Sequence, residues 1–386
     1  MAQRQWRSDD TDKWQYSYGS GVDGAKTIST NSTVDFDYKS ACTGTSGTTS
    51  LSATNANFAT GQLILIHQTR GTGAGNWELN RIASYTAGTI TTSHALCNTY
   101  ASGAQVIRLP QYSSFTVNSG VTLTGNAWDG TTGGIVPLLC NGQVTITGTI
   151  NANGNNGATA NAPSTAVETN GGGFRGGAGS TTEGVERTGE GYTTTINTDS
   201  PTTTDNAGGG GGAGAGGGGG NGTAGGAGAG GSGNGAGGAI AGNAALTSMF
   251  FGGGAGGGQD SNPSLNPDNG AGGSGGAIVL IIGRKVTVTG AINSNGGAGG
   301  NANASGGGGA GGSILIKTQE GILGAGLVTA TGGLGGTVGY ADGGNGGVGR
   351  IHADYLISLT GTTTPTLDST QDNTLIDIGG GFLSFL

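Results

Sequence analysis

Charge is scarce in this 386-residue sequence: Asp, Glu, Lys and Arg together make up 9% of it, and the formal net charge is -8. A nucleic-acid groove needs clustered Lys and Arg, and no such cluster exists, so nucleic acid is not expected as a partner. Long apolar runs are also missing. The longest, Ala277 to Ile282, suits one buried strand and is far shorter than the roughly 18 residues of a membrane-spanning helix. The three cysteines, Cys42, Cys97 and Cys140, are odd in number and far apart, which points to buried free thiols in strands rather than a disulfide framework. His67, His94 and His352 fall on separate expected strands without metal-ligand spacing, so each reads as a turn or core residue. No stretch carries a capped apolar stripe of helical period. The first ten residues lack the apolar core of a signal peptide. Work outside the cell would then require lysis, another export route, or incorporation in a particle.

What the sequence has in excess is glycine, 91 residues, against a usual share of about 7%. Residues 208–258 contain no Lys, Arg, Asp or Glu and are mostly Gly broken by Ala, Asn, Ser and Thr. Gly adds no side-chain area to a core and loses the most backbone entropy on folding. Such a tract is either disordered or held by backbone contacts that only Gly permits. Solvated disordered chains carry high net charge and few β-branched residues. Here the charge is low and the flanks are rich in Val, Ile, Leu and Thr, so an ordered tract is expected.

Three segments, 134–154, 276–296 and 312–332, superpose without a gap, and a shortened fourth runs from Gly349 through Ile351, Tyr355, Ile357 and Leu359 to Gly361. The second and third start 36 residues apart, within the range of solenoid repeats. Each unit reads as an apolar strand, a polar turn, an alternating strand such as Val286-Thr-Val288-Thr, and a glycine stretch. The gapless register makes Val144, Val286 and Ile322 equivalent, and likewise Ile146, Val288 and Gly324. The pattern predicts an all-β fold of β-solenoid-like stacked strand repeats burying one continuous core. Because the glycine stretches leave every unit at the same place, they are expected to form a second, polyglycine-II layer. A period of three supports this in part, with Ala215, Asn221, Ala224, Ala227, Ala236 and Ala239 in one phase and Ala213, Ala229 and Asn234 breaking it.

The organisation expected is an N-terminal docking arm over 1–20 and a β-rich region over 21–130. Strand repeats follow over 131–361, with a glycine-rich insertion at 155–275, and then a C-terminal tail over 362–386. Trp6, Trp14, Tyr16 and Tyr18 in the arm fit either docking or an aromatic cap on the first strands.

Visible chemistry is sparse. Many GxGxxG matches occur, but none sits in a strand-to-helix unit with a downstream acidic residue, and no phosphate-binding GxxxxGK[ST] segment exists; no cofactor is expected. Glu183, Glu186 and Glu190 follow Phe174-Arg175 and could supply the carboxyl pair of a glycoside hydrolase, or form a solvated loop paired with Arg175 and Arg187. Aromatics flanked by hydrogen-bonding groups are easier to find: Asn76-Trp77, Trp128-Asp129, Phe174-Arg175, Met249-Phe250-Phe251 and Tyr340-Ala-Asp342. Such groups suit carbohydrate or protein-surface recognition, and Asn76, Trp77, Trp128, Phe174, Arg175 and Tyr340 are the candidate receptor contacts. The competing reading is packing over glycine segments, favoured for Phe250 and Phe251.

The glycine runs 208–220 and 252–258 resemble the polyglycine-II sandwiches in tip adhesins of T-even-like bacteriophage long tail fibres. The junctions Gly275-Gly-Ala-Ile-Val and Gly311-Gly-Ser-Ile-Leu are similar to glycine-rich β-solenoid surface and virion proteins of bacteria and phages. The resemblance implies a non-enzymatic tail-fibre or tail-tip protein of the virion. Its expected partners are a bacterial cell-surface receptor (a glycan or an outer-membrane protein), other virion tail proteins, and further copies of itself in a homo-oligomer. The alternatives are a self-assembling bacterial surface fibre or matrix protein, extracellular or at the cell surface, and a polysaccharide depolymerase.

Overall fold

A computed structural model describes residues 18–33, 38–160, 172–179, 188–193, 208–212, 214–231, 233–259, 269–337 and 339–375. Most of the N-terminal arm (1–17), the end of the tail (376–386), and Glu183 and Glu186 lie outside them. The described chain is all-β and contains no helix. It begins with β1 (Ala25–Ile28) and β2 (Ser32–Thr33). Next come β3 (Lys39–Gly44), β4 (Ser50–Ala53), β5 (Leu63–Gln68), β6 (Trp77–Thr86), β7 (Thr89–Thr92) and β8 (Tyr100–Leu109). Short strands β9 (Gln111–Tyr112), β10 (Ser114–Val117) and β11 (Thr122–Thr124) lead to β12 (Ile135–Ile146) and β13 (Thr149–Asn151). The glycine-rich insertion lies between β14 (Thr159–Ala160) and β15 (Asn269–Gly270). The chain then forms β16 (Ile278–Val288), β17 (Ala291–Asn293), β18 (Ser313–Thr329), β19 (Arg350–Thr364) and β20 (Asp368–Gln371).

One 12-stranded sheet runs β1-β10-β12-β16-β18-β17-β13-β11-β2, with β9, β19 and β20 added at its sides, and every pairing in it is parallel. The first two repeats each contribute a long strand and, past a two-residue turn, a short one, whereas the third and fourth run as the single strands β18 and β19. The polar turn expected between the apolar and alternating segments lies within one continuous strand instead. In the first two repeats Val144 pairs with Val286 and Ile146 with Val288, and all four side chains are buried. The third repeat departs from the gapless alignment: Gly321 opposes Val286, Ile322 opposes Thr287, and Ile322 is 43% exposed while Leu323 is buried. Strand side chains alternate faces, so a slip of one residue turns the whole set over. The slip is present from the start of β18, where Ile278 opposes Ser313 rather than Ile314. The first half of β12 is also one residue off the gapless alignment, with Ile135 opposite Ile278 rather than Ala277, and regains it at the irregularity between Cys140 and Gln143. Residues 278–283 are buried without alternation, so that run tolerates either register at no cost in burial. The surplus residue is absorbed before Ile292 meets Val328, where Gly324 takes a φ of 69° that a β-branched residue would resist.

The stack extends further towards the N-terminus than the expected boundary at 130. Phe115 and Val117 pair with Val144 and Ile146, Leu123 pairs with Ile150, and Ile28 pairs with Val117. Between these early units the chain leaves to form a closed antiparallel barrel, β3-β4-β7-β6-β5-β8, around Leu51, Ile64, Ile66, Ile82, Ile90 and Val106. Outward-facing Leu63, Leu65, Trp77, Ile107 and Leu109 belong to the same buried cluster as Leu138 and Phe251, which seats the barrel on the sheet. Two sequence expectations fail at its rim. Cys97 and His94 lie in bends rather than strands and are exposed, whereas Cys42, Cys140, His67 and His352 are buried strand residues.

Beyond the sheet, glycine segments exchange backbone hydrogen bonds with several neighbours each. Gly297 donates to Ser274, Gly309 to Gly297, Gly333 to Gly309 and Gly346 to Gly333, at 2.8–2.9 Å, so one ladder crosses the stretches of successive repeats. The insertion joins it: Gly217 donates to Gly210, Gly256 to Gly217, and Gly307 to Gly256. Approach is so close that a Cβ on Gly256 would lie 2.0 Å from the Gly210 oxygen, and one on Gly217 would lie 2.0 Å from that of Ala236.

Two outcomes follow. Gly256→Ala should lower the thermal midpoint by several degrees, because backbone must move to admit the methyl, whereas Gly226→Ala, whose added Cβ would lie 3.3 Å from Asn345 N, should lower it clearly less; calorimetry on both checks this. Val286→Asp should cost roughly 3–5 kcal/mol as an unpaired buried carboxylate, and Ile322→Asp under about 1 kcal/mol. Equal losses in denaturant titrations would contradict the register.

Candidate functional site

The loop joining β11 to β12 is shaped by Asp129, whose Oδ1 accepts the backbone N–H groups of Thr131 (2.8 Å) and Thr132 (2.7 Å). That turn drives the Trp128 indole inward, edge-to-face with Phe174 (6.3 Å) and Phe251 (5.5 Å), which lie 5.1 Å from each other. The indole Nε1 donates to Glu190 Oε2 at 3.1 Å. The same oxygen accepts the backbone N–H and the Nε–H of Arg175, each at 3.1 Å, and Arg70 Nη1 lies 2.9 Å from Glu190 Oε1. Arg70 comes from the end of β5 and also donates through Nε to Thr193 O. Glu190 receives Gly254 N–H on its own carbonyl. One buried carboxylate thus ties the barrel, the 128–133 loop and the glycine segments together.

Three sequence candidates, Trp128, Phe174 and Arg175, therefore converge, but on a buried ion-pair cluster. Trp77 is separate; it lies buried between barrel and sheet and donates to Leu246 O at 3.4 Å. Trp77, Trp128 and Phe174 are at most 2% exposed, so none presents its ring to a receptor. The reason is volume: glycine segments supply no side chains, and the rings fill the space between them and the sheet. Phe251 does the same, while Phe250 is half-buried against Tyr192 at 5.1 Å. Asn76 is half-buried in the turn before β6. Of the six candidates only Tyr340 is largely exposed, at 60%. It stands where three loops meet, since Ala229 and Asp342 exchange backbone hydrogen bonds and Ala341 N–H donates to Asn303 O. Glu190, read from sequence as part of a solvated loop or a catalytic pair, is 3% exposed.

Sequence reasoning missed a second cluster, on β18, β19 and β20. His352 Nδ1 lies 2.7 Å from Asp368 Oδ2 and Nε2 lies 3.0 Å from Asp354 Oδ1, while Lys317 Nζ pairs with Asp354 Oδ2. The available signal was the spacing His352-x-Asp354 on an alternating strand, which puts both on one face. Burial works to lower the imidazole pKa, but the bonds and charges of Asp354 and Asp368 outweigh it and hold it above its ordinary value. Burial likewise opposes ionisation of Asp354, yet His352 and Lys317 keep its pKa low. His67 differs: burial holds it down at about 4 against the opposing bond to Met249 O, so the neutral ring donates from Nε2 to that carbonyl.

Among the described residues no group of His, Cys, Asp and Glu is arranged to hold a metal ion, and no helix is long and apolar enough to cross a membrane. Neither a protein-family model nor a curated protein matches the sequence.

The His352 cluster has a pH dependence of definite sign. A base whose pKa is raised on folding stabilises fully below its unfolded value, about 6.5, and that contribution is lost as pH rises through the higher folded value. Hydrogen exchange at the amides of Asp368–Gln371, corrected for the intrinsic pH effect, should therefore accelerate above that point. His352→Gln should abolish the pH dependence; a pH profile unchanged by the substitution would refute the clamp.

Proposed function

We propose that the chain is a non-enzymatic virion protein, a tail-fibre or tail-tip component that recognises a bacterial surface. In this reading the parallel stack is a β-solenoid and the glycine segments are polyglycine-II-type helices laid against it. Support for the second point comes from each segment bonding to several neighbours, and from backbone angles. Within 208–258 only Gly230, Gly233 and Gly242 take positive φ among the described glycines.

The observation that carries the reading is the close approach of backbone to backbone, about 2 Å between an added Cβ and a carbonyl oxygen at Gly209, Gly217 and Gly256 alike. A layer of that kind excludes side chains from its interior and leaves chemical variety to its loops. Tyr340 and Asp342, exposed at one loop cluster, are the contacts this reading favours. A depolymerase reading loses its described carboxylate, because Glu190 is enclosed by Trp128, Arg70 and Arg175 and presents no face to a polysaccharide.

The test is saturable binding of the labelled full chain to a panel of bacterial strains, with immunogold labelling of phage particles from the same source. Binding is expected to fall after periodate treatment of cells if the receptor is a glycan, or after protease shaving if it is a protein. Absence of label on particles together with no saturable binding to any strain would overturn the reading.

A further inference from the structure

We propose that one face of the glycine segments is a binding surface for a glycan chain of N-acetylated sugars; as a receptor site it rests on the host-recognition reading above and extends the contact assigned there to Tyr340. The segments that follow β13, β17 and β18 are held side by side through asparagine. Asn153 Oδ1 accepts the backbone N–H of Asn295 (2.7 Å), and Asn156 Oδ1 accepts that of Ala298 (2.9 Å). One segment further on, Asn295 Oδ1 accepts Thr331 N–H (2.8 Å) and Asn301 Oδ1 accepts Thr337 N–H (3.2 Å). The positions used are 153 and 156, then 295, 298 and 301, then 331, 334 and 337. They advance by three, the number of residues per turn in an extended left-handed segment, so their side chains share one face.

The chemistry of that face is one-sided. A backbone N–H only donates, so each of these amides must turn its oxygen to the neighbouring segment, which leaves its NH2 group over. Among the described residues none of the four Nδ2 atoms has a hydrogen-bond partner, and Asn156 and Asn301 are exposed. Asp, Glu, Lys and Arg are missing from 149–160, 291–301 and 330–341. The face therefore offers donors without charge, and it suits an uncharged ligand rich in acceptors. Its apolar part is Leu334, 70% exposed in the row of Asn156 and Ala298, with Tyr340, 60% exposed, three residues past Thr337. An acetamido group matches both features, since its carbonyl oxygen accepts from an asparagine NH2 while its methyl packs on Leu334 and the sugar ring stacks on Tyr340. A plain glucan presents hydroxyls, which must also donate, and finds no free acceptor in these amides. A polymer that repeats the acetamido group engages several of the amides at once, so weak single contacts add up.

Chitotetraose is the probe, with cellotetraose as the counterpart that lacks acetamido groups, titrated into the isotope-labelled full chain and followed by backbone and side-chain amide shifts. Saturable shifts of the Asn156 and Asn301 NH2 signals and of the Leu334 and Tyr340 amides are expected with chitotetraose. Cellotetraose should bind about tenfold or more weakly. Asn156→Asp combined with Asn301→Asp keeps the oxygens that hold the neighbouring segments and removes the donors. That variant should retain the thermal midpoint and lose about tenfold or more in affinity. Leu334→Ser, at an exposed position, should weaken binding without touching an amide, and it decides alone if the double variant unfolds. No saturation, equal affinity for the two oligosaccharides, or full binding by either variant would overturn the site. Cell binding that survives this failure would leave host recognition standing and place it elsewhere. Chitotetraose binding without cell binding would keep the surface and remove its assigned role.

Discussion

Backbone lying directly on backbone is the contact on which the rest of this molecule depends. A glycine segment gains little from area burial, and ordering each residue's backbone costs about 1–2 kcal/mol, at the upper end for Gly. What it gains is hydrogen bonding, about 0.5–1.5 kcal/mol net per bond, together with atomic contact at crystal-like density. Those terms nearly cancel, so a glycine layer needs an apolar body to hold it. The sheet provides that body: Ile278, Val279, Leu280, Ile281 and Ile282 are buried on both faces, a burial that antiparallel sheets with one wet side do not achieve.

Joining a layer without side chains to a sheet full of them leaves a gap, and the large aromatic residues fill it. Trp128, Phe174 and Phe251 form one edge-to-face group at that junction. Glu190 gives the packing direction. With Trp128, Arg175 and Arg70 as its partners, it fixes the loop and barrel against the glycine segments, and removing Glu190 would leave Arg70 and Arg175 at that junction without their counter-charge. The barrel sits as an excursion between two early units of the stack, tied by this ion pair and by its own outward apolar residues.

Legibility in the sequence followed the physics residue by residue. Val144 and Val286 were placed correctly because an alternating strand records which face is buried. Ile322 was misplaced because the slip originates in a run apolar on both faces, where sequence carries no facial information. The units at Phe115 and Leu123 were present as alternation but lack the glycine stretch that marked the others, so they read as part of a separate region. Trp77, Trp128 and Phe174 were read as open to a receptor because an aromatic beside Gly in a loop resembles an exposed one. In a chain so poor in large side chains, those rings are the filling material. Of the partners of Glu190, Arg175 was legible because it lies close in the chain, whereas Trp128 and Arg70 were not, since Arg70 approaches from the barrel, 120 residues away.

The ends of the stack bear on how copies could associate. Lys26 stands at the start of the row that continues through Phe115, Val144 and Val286, so a charge occupies the position where the next apolar side chain would stack. At the other end β20 is four residues long, exposed throughout and opened by Asp368, and the β18–β19 pairing carries three register irregularities. Short strands, charges and bulges are the devices by which sheets avoid pairing edge to edge. A fibre growing by continued stacking would require both ends to accept another strand, and the described edges are built against it. Association with other chains is therefore better served by surfaces away from the strand edges.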